Sequence, residues 1–254
     1  MKNALIYLVV FIAIQLGVTT AVQGLWHLAT GNQDTTSMML IVAMTAFSVI
    51  TIAVFLLAHW SEVSRSYVRS RPWTVLIWCV LAAAGAIIPS TWLQEQMPTL
   101  PNLIGDEFDM ILKDRWGYLA IGLLAPLAEE LVFRGAILKA LLGWSKNHWM
   151  AIAISALLFA LVHGNPVQMP HAFLVGLLLG WMYYRTGSIV PGVAYHWVNN
   201  TIAYVMYNIL PNPDAELITL FGGSQRAVML SLLFSLCILV PAIFQLNQRL
   251  KKAE

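Results

Sequence analysis

The sequence predicts an all-α, polytopic integral membrane protein of about eight transmembrane helices, with its functional site inside the helical bundle. Of the 254 residues, 59% are hydrophobic and only 10% charged, whereas an ordinary soluble domain carries roughly a quarter charged residues. The mean hydropathy is +0.73. This excludes a soluble globular protein, and an aromatic content of 11% excludes disorder. The net charge of +2 provides no field to attract nucleic acid.

A spanning helix needs about 20 mostly apolar residues. Suitable stretches run over residues 4–22, 38–59, 73–89, 116–142, 149–163, 169–184, 188–210 and 227–246. The first has the length of a signal peptide but no convincing small-residue cleavage site, so it is read as a span. Residues 164–166, Gly-Asn-Pro, fit a tight hairpin within the bilayer. Trp26, Trp60, Trp73, Trp92, Trp116, Trp144 and Trp149 fall at span ends, where amphipathic rings favour the headgroup layer. The connection 90–115 is acidic and places Phe108, Ile111 and Leu112 at helical spacing, which fits either an amphipathic surface helix or a solvated loop.

Orientation follows from the cations. With the N-terminus inside, the inner segments hold Lys2, Arg65, Arg69, Arg71, Lys146, Arg185, Arg249, Lys251 and Lys252. The outer segments hold Lys113, Arg115 and Arg226, together with Asp34, Glu95, Asp106, Glu107, Asp109, Asp114, Asp214 and Glu216. Both termini are therefore expected to be cytoplasmic, and the chain 1–254 is read as one membrane domain. Cys79 and Cys237 sit in apolar runs and read as small hydrophobes.

Ionisable groups inside hydrocarbon are costly and mark function by default. The fourth stretch contains Pro126, Glu129, Glu130 and Arg134. Glu130 and Arg134 stand four apart on one helical face, with the acid N-terminal to the base, so they can pair. Glu129 is turned about 100° away and lacks such a partner on its own helix. Pro126 withholds a backbone donor one turn before the site. Phe159 and His163 share a face in the fifth stretch, as do His196 and Asn200 in the seventh. Counted along their helices, Glu129, His163, His196 and Asn200 reach overlapping depths of roughly 12–21 Å. Gly176 and Gly180 are spaced for close helix packing.

A carboxylate to activate water, an imidazole beside it, and an imidazole and amide to stabilise an oxyanion compose an acyl-bond hydrolase. No Gly-x-Ser-x-Gly nucleophile and no His-Glu-x-x-His zinc motif is present in the sequence. The expected roles are water activation by Glu129 with His163, and oxyanion stabilisation by His196 with Asn200.

Glu-Glu-x-x-x-Arg at 129–134, Phe-x-x-x-His at 159–163 and His-x-x-x-Asn at 196–200 resemble the three ordered motifs of the CPBP family. These are the intramembrane CAAX proteases and bacteriocin-processing or immunity proteins, also called Abi proteins. The run Gly180-Trp-Met-Tyr-Tyr-Arg185-Thr-Gly187 is similar to that family's segment between the second and third motifs. The resemblance covers about 116–204, the expected catalytic core. It implies an intramembrane endopeptidase with Glu129, His163, His196 and Asn200 catalytic, and with Glu130, Arg134 and Phe159 organising the site.

The resemblance also admits a metalloprotease-like mechanism, because Glu129, Glu130, His163 and His196 offer oxygen and nitrogen donors to zinc; a glutamate-activated water without metal is the reading placed first. The expected partner is a membrane-associated or lipidated peptide or protein presented from the bilayer, and the expected location is a bacterial cell membrane. Two alternatives stand beside the protease: a non-catalytic immunity or adaptor protein, and a proton-coupled transporter using the same groups as a relay.

Overall fold

The computed structural model describes every residue except 32, 214, 253 and 254. Asp214, counted above among the outer acids, lies outside the described residues. Among the described residues the protein is helical throughout, without strands.

Two long apolar helices open the chain, α1 (Lys2–Thr30) and α2 (Ser37–Leu57). Gly31, at φ 68°, ends α1 with a left-handed cap, and the Thr36 side chain caps α2 by accepting from Met39 N. A short helix α3 (Arg65–Arg69) leads into α4 (Trp73–Glu95). The acidic connection forms α5 (Gly105–Lys113), with Asp106 and Glu107 in its first turn, Lys113 in its last, and Ile111 and Leu112 buried. The amphipathic-helix alternative therefore holds for this part of 90–115.

The fourth apolar stretch folds as a rod in four pieces: a π-helix at Tyr118–Leu124, α6 (Ala125–Glu130), a second π-helix at Leu131–Leu138, and α7 (Lys139–Trp144). Then follow α8 (His148–Leu161), α9 (Met169–Thr186), α10 (Val190–Ile209), the single turn α11 (Leu217–Leu220) and α12 (Gln225–Arg249).

Four of these helices, α1, α2, α4 and α12, are long and apolar enough to cross a membrane. The eight-span expectation is met to that extent. The other apolar stretches fall short for reasons visible in their residues: α8 has only 14 residues, the rod is interrupted, and α10 carries His196, Asn199, Asn200 and Asn208.

The rod is the centre of the bundle, and every residue from Leu131 to Leu138 is buried. Phe133 stacks edge-on between Phe11 of α1 and Phe159 of α8, at 5.3 and 5.2 Å. On the opposite side α4 packs along α12 and α10, and a Cβ on Gly85 would come within 2.8 Å of Leu239 N. Close approach of α8 and α9 depends on the small residues of the Gly-x-x-x-Gly pair. A Cβ at Gly176 would stand 2.9 Å from that of Ala156, and one at Gly180 would stand 2.9 Å from Ile152 Cγ2. The α8–α9 turn uses Gly164 at φ 64° and the buried Asn165. The Asn165 side chain accepts from Leu103 N at 3.0 Å and donates to Asn102 Oδ1 at 2.8 Å, fastening the turn to the segment before α5.

Candidate active site

The site is built on the join between α6 and the second π-helix. Wide π turns recur at functional positions because they release backbone groups and re-aim side chains. Here side chains of neighbouring helices bond two carbonyls of the rod. Ser155 Oγ of α8 donates to Phe133 O at 2.9 Å, and Asn200 Nδ2 of α10 donates to Ile121 O at 3.1 Å. The second case follows from Pro126. In this register Ala125 N bonds Ala120 O, five residues back. The next carbonyl, Ile121, would be served by residue 126, and proline has no N–H to give.

Glu130 and Arg134 form the ion pair their spacing predicts, Nη1 to Oε1 at 2.8 Å, with side-chain exposures of 0% and 1%. Arg134 Nη2 also donates to Gly176 O at 3.3 Å. The guanidinium lies over the Phe159 ring at 4.4 Å, a favourable placement for a desolvated cation. Glu130 Oε1 further meets His196 Nδ1 at 3.2 Å. Since Glu130 accepts from Arg134 as a carboxylate, His196 Nδ1 is the protonated nitrogen and donates.

Glu129, without a partner on its own helix, meets one on another. Its Oε2 stands 3.6 Å from His196 Nε2, so His196 sits between the two carboxylates. The partner comes from α10, which spacing along the rod cannot register. Glu129 keeps 20% side-chain exposure while Glu130 has none. His163 Nδ1 lies 2.8 Å from Phe159 O, and because a carbonyl only accepts, Nδ1 carries the proton and Nε2 is left free. No hydrogen bond joins His163 to Glu129 directly. The two imidazoles instead meet the same ring: Phe159 contacts His163 at 4.9 Å and His196 at 5.8 Å, both nearly perpendicular.

Asn200 lies one turn beyond His196. One of its N–H groups is spent on Ile121 O, and its Oδ1 accepts from Asn199 Nδ2 at 3.3 Å, which orients the amide. Sequence reasoning missed Asn199, and it missed Gly192. A Cβ at Gly192 would stand 2.6 Å from Glu130 Oε2, an oxygen buried without a hydrogen-bond partner. The signal was available, because Gly192 precedes His196 by four residues and shares its face.

The zinc expectation does not fit this arrangement. Among the described residues no three or more His, Cys, Asp or Glu side chains are grouped to hold a metal ion. Glu129, Glu130, His163 and His196 do not form such a group, and Glu130 Oε1 is already committed to Arg134 and His196.

Four helices long and apolar enough to cross a bilayer, in one bundle with a charged and nearly desolvated cluster, mark an integral membrane protein. Residues 112–202 match the family model of the type II CAAX prenyl endopeptidases, described as Rce1-like, so the CPBP resemblance carried by the three motifs holds over this segment. That family is one of proteases. A protein of Escherichia coli named "Uncharacterized 24.3 kDa protein" is 29% identical over 137 residues, spanning 52% of this chain and 61% of that protein. The match thus extends over less than two thirds of that relative's length. No solved structure matches the chain.

Proposed function

We propose that the protein is an intramembrane endopeptidase of the CPBP type, cleaving a peptide bond in a membrane-associated or lipidated substrate. The observation that carries this reading is the unequal setting of two adjacent carboxylates. Glu130 is sealed against Arg134, whereas Glu129 stays 20% exposed beside His196. A buried ion pair alone is a structural knot; an accessible carboxylate next to an imidazole is a base with a proton relay.

In the proposed reaction Glu129 takes a proton from water as the oxygen attacks the scissile carbonyl, and the free Nε2 of His163 orients that water. The carbonyl electrons move to oxygen. The resulting oxyanion is met by the second N–H of Asn200 and by the Nε2–H of His196, which in this reaction is an imidazolium between the two carboxylates with its Nδ1–H on Glu130. Collapse breaks the C–N bond, and the proton held by Glu129 passes to the leaving amine. One water and one peptide bond yield one carboxylic acid and one amine, and Glu129 is returned as the carboxylate.

We further propose that the rod, α8, α9 and α10 cross the bilayer with the four apolar helices, completing eight spans in a single domain with both termini cytoplasmic, in a bacterial cell membrane. Supporting this topology, the cations cluster at the ends where α3 and α12 terminate. Comparison of N-terminal peptides from host membranes containing the native chain or Glu129→Gln tests the activity. New termini that require Glu129 are expected. Identical termini with both proteins inserted and equally abundant would contradict it and favour an immunity or adaptor role.

A further inference from the structure

At the end of the bundle opposite α5, a cavity of about 910 Å³ opens between α3, the start of α4 and the end of α12. Its lining includes Arg69, Arg249, Lys251 and Lys252, with the hydroxyls of Ser66 and Ser70, and no Asp or Glu among the described residues. The backbone that carries these cations is anchored to the bundle. Leu246 and Leu250 are fully buried, and Arg185 clamps the end of α12 by donating to Asn247 Oδ1 and Asn247 O, both at 2.8 Å. Tyr67, 3% exposed, fixes α3 against the bundle.

The helix whose first turn helps line the cavity also bears an exposed apolar stripe. Trp73, Ile77 and Val80 project from α4 at 66%, 58% and 40% exposure, spaced as one stripe leading from the headgroup end into the apolar span. A soluble anion has no use for such a track; an acyl chain does. We propose that this cavity binds the phosphodiester headgroup of an anionic phospholipid, with the acyl chains lying along α4. Four cations around one phosphate provide charge neutralisation and charge-assisted donors to its free oxygens. The assignment depends on the chain spanning a bilayer and not on its being a protease.

The test uses the full chain purified in dodecyl maltoside and titrated with micelles containing phosphatidylglycerol or phosphatidylcholine, read by retained adducts in native mass spectrometry and by thermal shift. Phosphatidylglycerol should be retained and raise the melting temperature, and phosphatidylcholine should do neither. Combining Arg69→Gln, Arg249→Gln, Lys251→Gln and Lys252→Gln should weaken phosphatidylglycerol binding by at least about tenfold. Arg226→Gln, at the other end of α12, should leave it unchanged. Should the fourfold variant fail to accumulate, Lys251→Gln with Lys252→Gln, beyond the last helical turn, retains the fold and should still reduce binding. Equal retention of both lipids, or full phosphatidylglycerol binding by the variants, would overturn the proposal. Equivalent protection by inorganic phosphate at the same concentration would overturn the lipid as the ligand.

Discussion

The side-chain amide of Asn200 donates to the carbonyl of Ile121 at 3.1 Å, filling the place left by the missing N–H of Pro126. A proline in one helix thereby sets the position of an amide in another. Pro126→Ala would supply an N–H that competes for Ile121 O. We expect the variant to melt at or above the native temperature while turnover falls, since interior proline costs a helix about 3 kcal/mol. In an Asn200→Ala background the same substitution should cost no further turnover. Additive losses would show that Pro126 acts elsewhere.

Asn200→Ala itself should lower turnover by about two to three orders of magnitude, the usual cost of losing one oxyanion donor. The substrate's KM should change little. An unaltered rate constant measured on purified protein would move that role away from Asn200.

Arg134→Ala should destabilise the protein by about 3–5 kcal/mol, because it leaves the Glu130 carboxylate buried and uncompensated. Arg134→Lys should recover only part of this. An ammonium cannot donate to both Glu130 Oε1 and Gly176 O while lying flat on Phe159. Thermal unfolding in detergent measures both variants, and a native melting temperature for Arg134→Ala would contradict the structural role.

Gly192→Ala should impair folding or activity although it adds only a methyl group. The new carbon would press on Glu130 Oε2 at 2.6 Å, inside a cluster that has no slack. Overpacking of this kind typically costs about 1–3 kcal/mol. Native yield and turnover for this variant would show that α10 can withdraw without loss.

The Glu130–Arg134 pair and the Phe159–His163 pair were legible in the sequence because both partners lie on one helix, where a spacing of four suffices. The Glu129–His196 contact and the Asn200–Ile121 bond were not, since each joins two helices whose rotation depends on packing. The π turns were hidden as well. Their apolar residues, such as Leu131 to Leu138, have the composition of any buried helix, and only Pro126 hinted at a change of register. Of the eight expected spans, α1, α2, α4 and α12 are long and apolar enough to cross a membrane; in α10 the residues that make the site, His196, Asn199 and Asn200, lower the apolar signal of the helix that carries them.

The most direct measurement compares Glu129→Gln with Glu130→Gln on purified, reconstituted protein, recording both thermal stability and cleavage of a peptide drawn from the Glu129-dependent termini. Glu129→Gln is expected to melt like the native chain and to cleave nothing, because it removes the base while conserving volume. Glu130→Gln is expected to lose stability as well as activity, because it breaks the buried pair with Arg134. Cleavage at the native rate by Glu129→Gln would contradict the assignment of Glu129 as the water-activating base.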